Sequence, residues 1–153
     1  QAYMVQVWLD QMAEYLRDNH GTVTGISGMA LGSDIWWAKS VEKAGLRLSA
    51  YVPFWKQYAK WPAKDITSWW DSMLYATDVK VFGNSEPYEV SNFYKRNEGM
   101  IEDTDLMLVV WSGKTSGGTY HCFEQYKKTG KPWFWYDYIN NQVFASEDAK
   151  QVV

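Results

Sequence analysis

Apolar residues recur along the chain with the spacing of helices in some segments and of short strands in others. Five helices are predicted by apolar or buried-type residues that share a face: Val5, Trp8, Leu9, Met12, Tyr15 and Leu16; Ile35, Ala38 and Val41; Ile66, Trp69, Trp70 and Met73; Val90, Phe93, Tyr94, Asn97 and Ile101; Cys122, Phe123 and Tyr126. The predicted strands are TVTGI, LRLSAYVPF, VKVFG, DLMLVVW and finally KPWFWYDY. DLMLVVW is almost continuously apolar, which is typical of a strand covered on both faces.

The alternation of helices and strands predicts an α/β fold with a mostly parallel central sheet between two helical layers. We find no linker, internal repeat or low-complexity segment, so we expect a single domain over residues 1–153. In such sheets ligands bind beyond the carboxyl ends of the strands. Three segments that follow predicted strands, SGMALGSD, PFWKQYAKWP and WSGKTSGGT, are therefore expected at one edge of the sheet.

Composition narrows the function classes. The chain of 153 residues is 46% hydrophobic and 22% charged, with a net charge of -3, which is typical of a globular protein without a basic surface for nucleic acid. No apolar run is long enough to span a bilayer, and no signal peptide is visible, so we expect a cytoplasmic protein. The 10 Trp, 11 Tyr and 6 Phe either fill the core or, in part, line a pocket for a flat ligand.

The stretch TGISGMALGSD, from Thr24 to Asp34, joins a predicted strand to a predicted helix. Its glycines match neither the dinucleotide fingerprint nor the P-loop. Its context still suits an anion, because the N–H groups and the dipole at a helix start favour a phosphate. Gly28 would let a ligand approach the backbone, and Ser27 would donate to a phosphate or cap the turn. A tight connection without a ligand is the alternative interpretation.

Two further segments carry candidate chemistry. In SGGTYHCFE a glycine pair precedes a helix, and Thr119 either caps that helix or contacts a ligand oxygen. In YKRNEGMIEDTD, Asn97 shares the apolar helical face and needs a hydrogen-bond partner there. Arg96 would either hold a phosphate with two hydrogen bonds or lie at the surface, paired with Glu89 or Glu102.

The segments GISGMALGSDIWWA, VPFWKQYAKWP, KRNEGMIEDTDLMLVVWSGKTSGGT and GKPWFW, in this order, resemble the YpsA-like family of the SLOG superfamily. The superfamily also includes the Lonely-guy phosphoribohydrolases and DprA-type domains. The resemblance implies a three-layer Rossmann-like fold and an NAD-derived or related nucleotide ligand, such as ADP-ribose, with no required cofactor. The ligand-binding residues expected from it are Ser27, Gly28, Met29, Ala30, Asp34, Pro53, Arg96, Asn97, Gly117, Gly118 and Thr119. The family's first strand, which ends in a TGHR-like turn, is expected to be absent.

The resemblance does not extend to the catalytic acid of the Lonely-guy enzymes. Their GGxGTxxE motif places a Glu three residues after the Thr, where this chain has Cys122. Glu124 lies two positions further on, which rotates it by about 200° around the helix toward Lys128. We therefore predict that Glu124 is a surface residue and that Cys122 is buried. The spacing of His20 and His121 builds no metal site.

Three functions follow as hypotheses. The first is a module that senses, carries or sequesters a nucleotide without turnover. The second is an N-glycosidase or phosphoribohydrolase, for which Asp34, Glu98 and Asp103 are the alternative carboxylates. The third is a protein-interaction domain with a vestigial pocket, in which exposed Trp55, Trp61 and Trp69 form a contact surface and the chain forms a homo-oligomer.

Overall fold

The computed structural model describes residues 1–84 and 87–151. The helices are α1 (Ala2–His20), α2 (Ser33–Lys43), α3 (Ala63–Tyr75), α4 (Ser91–Asp103), α5 (Gly118–Lys127) and α6 (Glu147–Lys150). The strands are β1 (Thr24–Ser27), β2 (Arg47–Val52), β3 (Asp78–Val81), β4 (Met107–Val110), β5 (Trp133–Asp137) and β6 (Gln142–Ala145). Three strand pairings are parallel and one is antiparallel. The predicted Rossmann-like three-layer α/β fold is confirmed.

The chain divides into two compact units. The central unit comprises Gln6–Met100, and the terminal unit comprises Gln1–Val5 together with Ile101–Val153. Each unit contains a three-stranded sheet, in the order β1-β2-β3 for the central unit and β4-β5-β6 for the terminal unit.

The sheet of the central unit is parallel throughout, and β2 lies in its middle. All residues of β2 after Arg47 are buried. The core around this strand combines residues of α1, α2, β2 and α3 with two residues of the α2–β2 connection and one residue of the β1–α2 turn: Ala13, Met29, Ile35, Ala38, Val41, Ala44, Leu46, Leu48, Ala50, Val52, Trp69 and Met73. Gly45, with φ +73°, follows α2 and allows the chain to turn back into β2.

The terminal unit differs from the sequence prediction in two ways. In β4 only Val109 is fully buried, so the expectation that DLMLVVW is covered on both faces is wrong. KPWFWYDY is also not the last strand, because β6 pairs antiparallel with β5 and α6 follows it. Asp137 makes this reversal possible, since its Oδ1 accepts hydrogen bonds from the N–H groups of Ile139 (3.0 Å) and Asn140 (3.2 Å).

No helix in the described part of the chain is both long enough and apolar enough to cross a membrane.

Candidate functional site

The turn between β1 and α2 is closed by its own hydroxyl group. The Oγ of Ser27 donates to the carbonyl oxygen of Asp34 at 2.7 Å and accepts the N–H of Met29 at 3.1 Å. Ser27 is buried, and Met29 adopts φ +60° with its side chain fully buried in the core of the central unit. Both hydrogen bonds of the Ser27 hydroxyl are therefore made within the turn itself.

Two side chains of the protein lie directly against Gly28, those of Arg96 and Asp34. Its carbonyl oxygen accepts a hydrogen bond from Nη1 of Arg96. A Cβ atom on Gly28 would lie 2.7 Å from that Nη1 and 2.8 Å from Oδ2 of Asp34. The expectation that Gly28 leaves space for a ligand is thus corrected, because Arg96 and Asp34 occupy the space that its missing side chain leaves.

Asp34 and Arg96 form the polar centre of this turn. Oδ2 of Asp34 accepts the N–H of Ala30 at 3.2 Å. Loss of hydration raises the pKa of the Asp34 carboxyl, while the nearby Arg96 guanidinium and the Ala30 N–H act in the opposite direction. Arg96 is only 6% exposed, and its Nε donates to Oδ1 of Asn97 at 2.9 Å. Arg96 is therefore not a solvated surface residue.

Helix α4 buries a different face from the predicted one. Val90, just before the helix, and Tyr94 are more than half exposed, and Asn97 is half-buried, whereas Asn92 and Arg96 are buried. The buried side chains are polar because they enter gaps left by glycines in the turns after β1 and β3. Arg96 lies against Gly28, and the Asn92 amide occupies the space where a side chain of Gly83 would be.

Aromatic residues of the segment after β2 and of α3 form a cluster, the Trp69 cluster, which consists of Trp55, Tyr58, Trp69 and Trp70. The rings of Tyr58 and Trp69 lie 4.6 Å apart between centroids, and those of Trp55 and Trp69 lie 6.2 Å apart. Trp69 is fully buried, so the prediction that it belongs to an exposed surface is wrong. Trp61 is half-buried against the core, Trp55 is 46% exposed, and Pro53 is buried.

In the terminal unit, Gly117, Gly118 and Thr119 are exposed at the start of α5. Gly117 is the N-cap, with φ +96° and no side-chain hydrogen bond to the helix. Since Thr119 lies in the first turn rather than at the N-cap, the interpretation of Thr119 as a cap is wrong. A Cβ atom on Gly117 or Gly118 would meet no other described residue within 4 Å.

Gly32, in the central unit, occupies the same position at its helix as Gly117 does in the terminal unit. It was not among the predicted site residues. It is the N-cap of α2, with φ +90° and no side-chain cap, and a Cβ atom there would also meet no described residue within 4 Å. The sequence carried no signal that separates the two glycines of this turn: only the structure shows that Gly28 packs against side chains and that the space at Gly32 is open.

The residues considered as candidate catalysts differ in their exposure to solvent. Cys122 is buried, as predicted. Glu124 is 41% exposed and pairs with Lys127 at 2.6 Å, rather than with Lys128. Glu98 and Asp103 are exposed, which leaves Asp34 as the partly buried carboxylate among the three alternatives. Across residues 1–84 and 87–151, no group of three or more His, Cys, Asp or Glu side chains could hold a metal ion.

The chain is similar to UPF0398 proteins from two strains of Bacillus cereus, one of them strain B4264. Each is 29% identical to it over 112 residues, which cover 69% of this chain and 60% of the relative. The matched region thus spans less than two thirds of the length of these relatives, whose name states no activity. No family model matches the chain.

Proposed function

We propose that this chain is a YpsA-like nucleotide-binding module that senses, carries or sequesters an NAD-derived or related nucleotide, such as ADP-ribose, without turning it over. One observation carries the proposal. In each unit a parallel strand leads through a turn to a helix whose N-cap is a glycine with positive φ and without a side-chain cap, Gly32 before α2 and Gly117 before α5.

A helix start of this kind suits a phosphate. Its first N–H groups have no acceptor within the helix, and the helix dipole adds partial positive charge there. A side-chain cap would compete for these N–H groups, and neither glycine has one. The glycines also leave open space, so a phosphate could reach the backbone of either helix start.

The surroundings of the two helix starts differ in charge. The first turn of α2 contains Asp34, whose charge is opposed by the nearby Arg96 guanidinium. The first turn of α5 contains no acidic residue. On charge alone, the α5 start is thus the more favourable position for a phosphate.

Isothermal titration calorimetry with ADP-ribose, NAD, AMP and a cyclic nucleotide tests the proposal, with the fold of the protein checked by circular dichroism. We expect binding of at least one of these ligands. Absence of binding to all four by the folded protein would overturn it.

A matched pair at Ser33, the first residue of α2, tests whether the α2 start takes part. Ser33→Asp adds a negative charge beside the helix N-terminus, and Ser33→Asn adds a neutral group of nearly the same shape. Weaker binding by the Asp variant alone indicates a phosphate at this helix, and equal binding by both variants excludes it.

A hydrolase of an N-glycosidic or phosphoribosyl bond is the second candidate, because the raised pKa of the Asp34 carboxyl is a property of many catalytic acids. Incubation with AMP and NAD, followed by chromatography for the free base, distinguishes it from the binding module. Release of base that is lost in Asp34→Asn would favour the enzyme, while stable ligands would favour the module.

A further inference from the structure

Gln57 carries a buried hydrogen-bond donor without an acceptor. Its Nε2 is the buried side-chain nitrogen or oxygen that lacks a hydrogen-bond partner within the described residues. Buried polar atoms are nearly always paired, so this amide is an exception that needs an explanation.

The orientation of the Gln57 amide is fixed by its neighbour. Nε1 of Trp69 donates to Oε1 of Gln57 at 3.0 Å. If the amide were flipped, its NH₂ group would face the indole N–H, and two donors would oppose each other. The amide therefore keeps its oxygen toward Trp69 and presents its NH₂ group elsewhere.

Gln57 lies at the edge of the sheet where the β1–α2 turn also lies. Strands β1 and β2 are parallel neighbours, so the segments that follow their carboxyl ends leave the sheet at the same edge. Met29 of that turn and Trp69 belong to one hydrophobic cluster, against which Tyr58 also packs. The amide is thus associated with aromatic rings at the edge of the central unit's sheet where the carboxyl ends of its strands lie.

The backbone beside Gln57 is also unusual. Lys56 has φ +64°, a conformation that residues other than glycine rarely adopt. Hydrogen bonds from the N–H of Ala59 to the carbonyl oxygen of Lys56 and from the N–H of Trp61 to that of Tyr58 close turns in this segment, so the unpaired Gln57 amide lies in a turn beside the left-handed residue.

We propose that Gln57 recognises the base of the bound nucleotide, its NH₂ group donating to a ring nitrogen or carbonyl oxygen of the base while rings of the Trp69 cluster contact the base's face. This inference rests on the proposed nucleotide-binding function. Aromatic rings stack on any base, whereas a fixed donor requires an acceptor on the base edge. Because Nε2 is buried, the segment of residues 55–61 must move to admit the base.

Two variants test the role of the amide donor. Gln57→Glu keeps the acceptor for Trp69 but removes both N–H donors, and Gln57→Met removes them without adding charge. Gln125→Glu, at an exposed position of α5, is the control for the added charge. Binding of AMP, ADP-ribose and ribose 5-phosphate is measured for all proteins. We expect both Gln57 variants to bind AMP and ADP-ribose about tenfold or more weakly, a loss typical of one buried hydrogen bond.

Ribose 5-phosphate, which has no base, separates base recognition from general damage to the site. Its affinity is expected to be unchanged in the Gln57 variants. Unchanged AMP affinity in these variants, or an equal loss for ribose 5-phosphate, overturns the inference and leaves the proposed function intact. If the wild-type protein binds no nucleotide, both fail together.

A measurement on the wild-type protein covers the case in which neither variant folds. The side-chain ¹⁵N–H₂ resonances of Gln57 are expected to shift on addition of AMP and not on addition of ribose 5-phosphate. Resonances that stay in place when AMP binds overturn the inference.

Discussion

The guanidinium of Arg96 donates a hydrogen bond to the carbonyl oxygen of Gly28, a residue 68 positions earlier in the chain. This bond connects α4 to the turn between β1 and α2. It also explains the glycine, since a side chain at position 28 would collide with both Arg96 and Asp34.

We expect Gly28→Ala to lower the free energy of unfolding by about 1–3 kcal/mol, because a methyl group would be forced into a filled space. Urea unfolding followed by circular dichroism measures the change. Gly118→Ala is the matched control, since its Cβ atom would meet no described residue within 4 Å and its stability should not fall. Equal stabilities of the two variants would contradict the packing role of Gly28.

A second contact of α4, between Asn92 and Gly83, can be tested by a double-mutant cycle. The Asn92 amide fills the space beside Gly83, and its Nδ2 donates to the carbonyl oxygen of Asn84 at 3.4 Å. Gly83→Ala should be destabilising in the wild-type protein and clearly less so when Asn92 is replaced by Ala, which removes the colliding amide. Urea unfolding of the four proteins should give a coupling free energy of roughly 1 kcal/mol or more. Additive effects would show that the two positions do not interact.

These contacts explain why the sequence predicted the elements better than the site. Helix α4 was predicted correctly as a helix, because its apolar residues have helical spacing. The face that it buries was predicted wrongly, since spacing assigns apolar residues to the interior and gives no sign that Asn92 and Arg96 fill gaps beside glycines. The same limit applies to Gly28 and Gly32: local sequence shows two glycines in one turn but not which of them lies against a side chain from far along the chain.

The terminal unit shows the corresponding limit for strands. The strand DLMLVVW was predicted from its composition, but the extent of its burial depends on which elements cover it. Asp137 was an available signal for the β5–β6 reversal, because Asp side chains often accept backbone N–H groups in turns. Gln57 gave no signal, since its unpaired amide is defined by its three-dimensional surroundings alone.

The carboxyl of Asp34 should make the free energy of unfolding increase as the pH falls, whereas a carboxyl group with a lowered pKa has the opposite effect. Its pKa is raised in the folded protein, so the folded state holds the proton more tightly than the unfolded state. The contribution of Asp34 to the free energy of unfolding should therefore increase as the pH falls from about 7 toward about 4, the ordinary range of an Asp pKa. Urea unfolding of wild type and Asp34→Asn across this range measures it. A difference between the two proteins that stays constant with pH would contradict the shift.

The pKa of Asp10, in the same unit, is shifted in the opposite direction to that of Asp34. Burial acts to raise the pKa of Asp10, but hydrogen bonds from Ser40, Gln6 and Lys43 outweigh it and lower the pKa. We expect Asp10→Asn to cost about 1–2 kcal/mol at neutral pH, as for hydrogen bonds to a charged group. This cost should shrink as the pH falls through about 4 and below, where the carboxylate becomes protonated in the wild-type protein. A cost that is independent of pH would show that the charge of Asp10 does not stabilise the fold.

The start of α5 allows phosphate binding to be separated from helix stability. Gly118 lies in the first turn, is exposed, and is not among the glycines with positive φ. Gly118→Asp adds a carboxylate that interacts favourably with the helix dipole but repels a phosphate at the same N–H groups. Gly118→Ala makes the same backbone change without charge. If α5 binds the phosphate, the Asp variant should be at least as stable as wild type in urea yet bind AMP about tenfold or more weakly in calorimetry, while the Ala variant binds as wild type does. Equal affinity of the Asp and Ala variants for AMP would exclude the α5 start as the phosphate position.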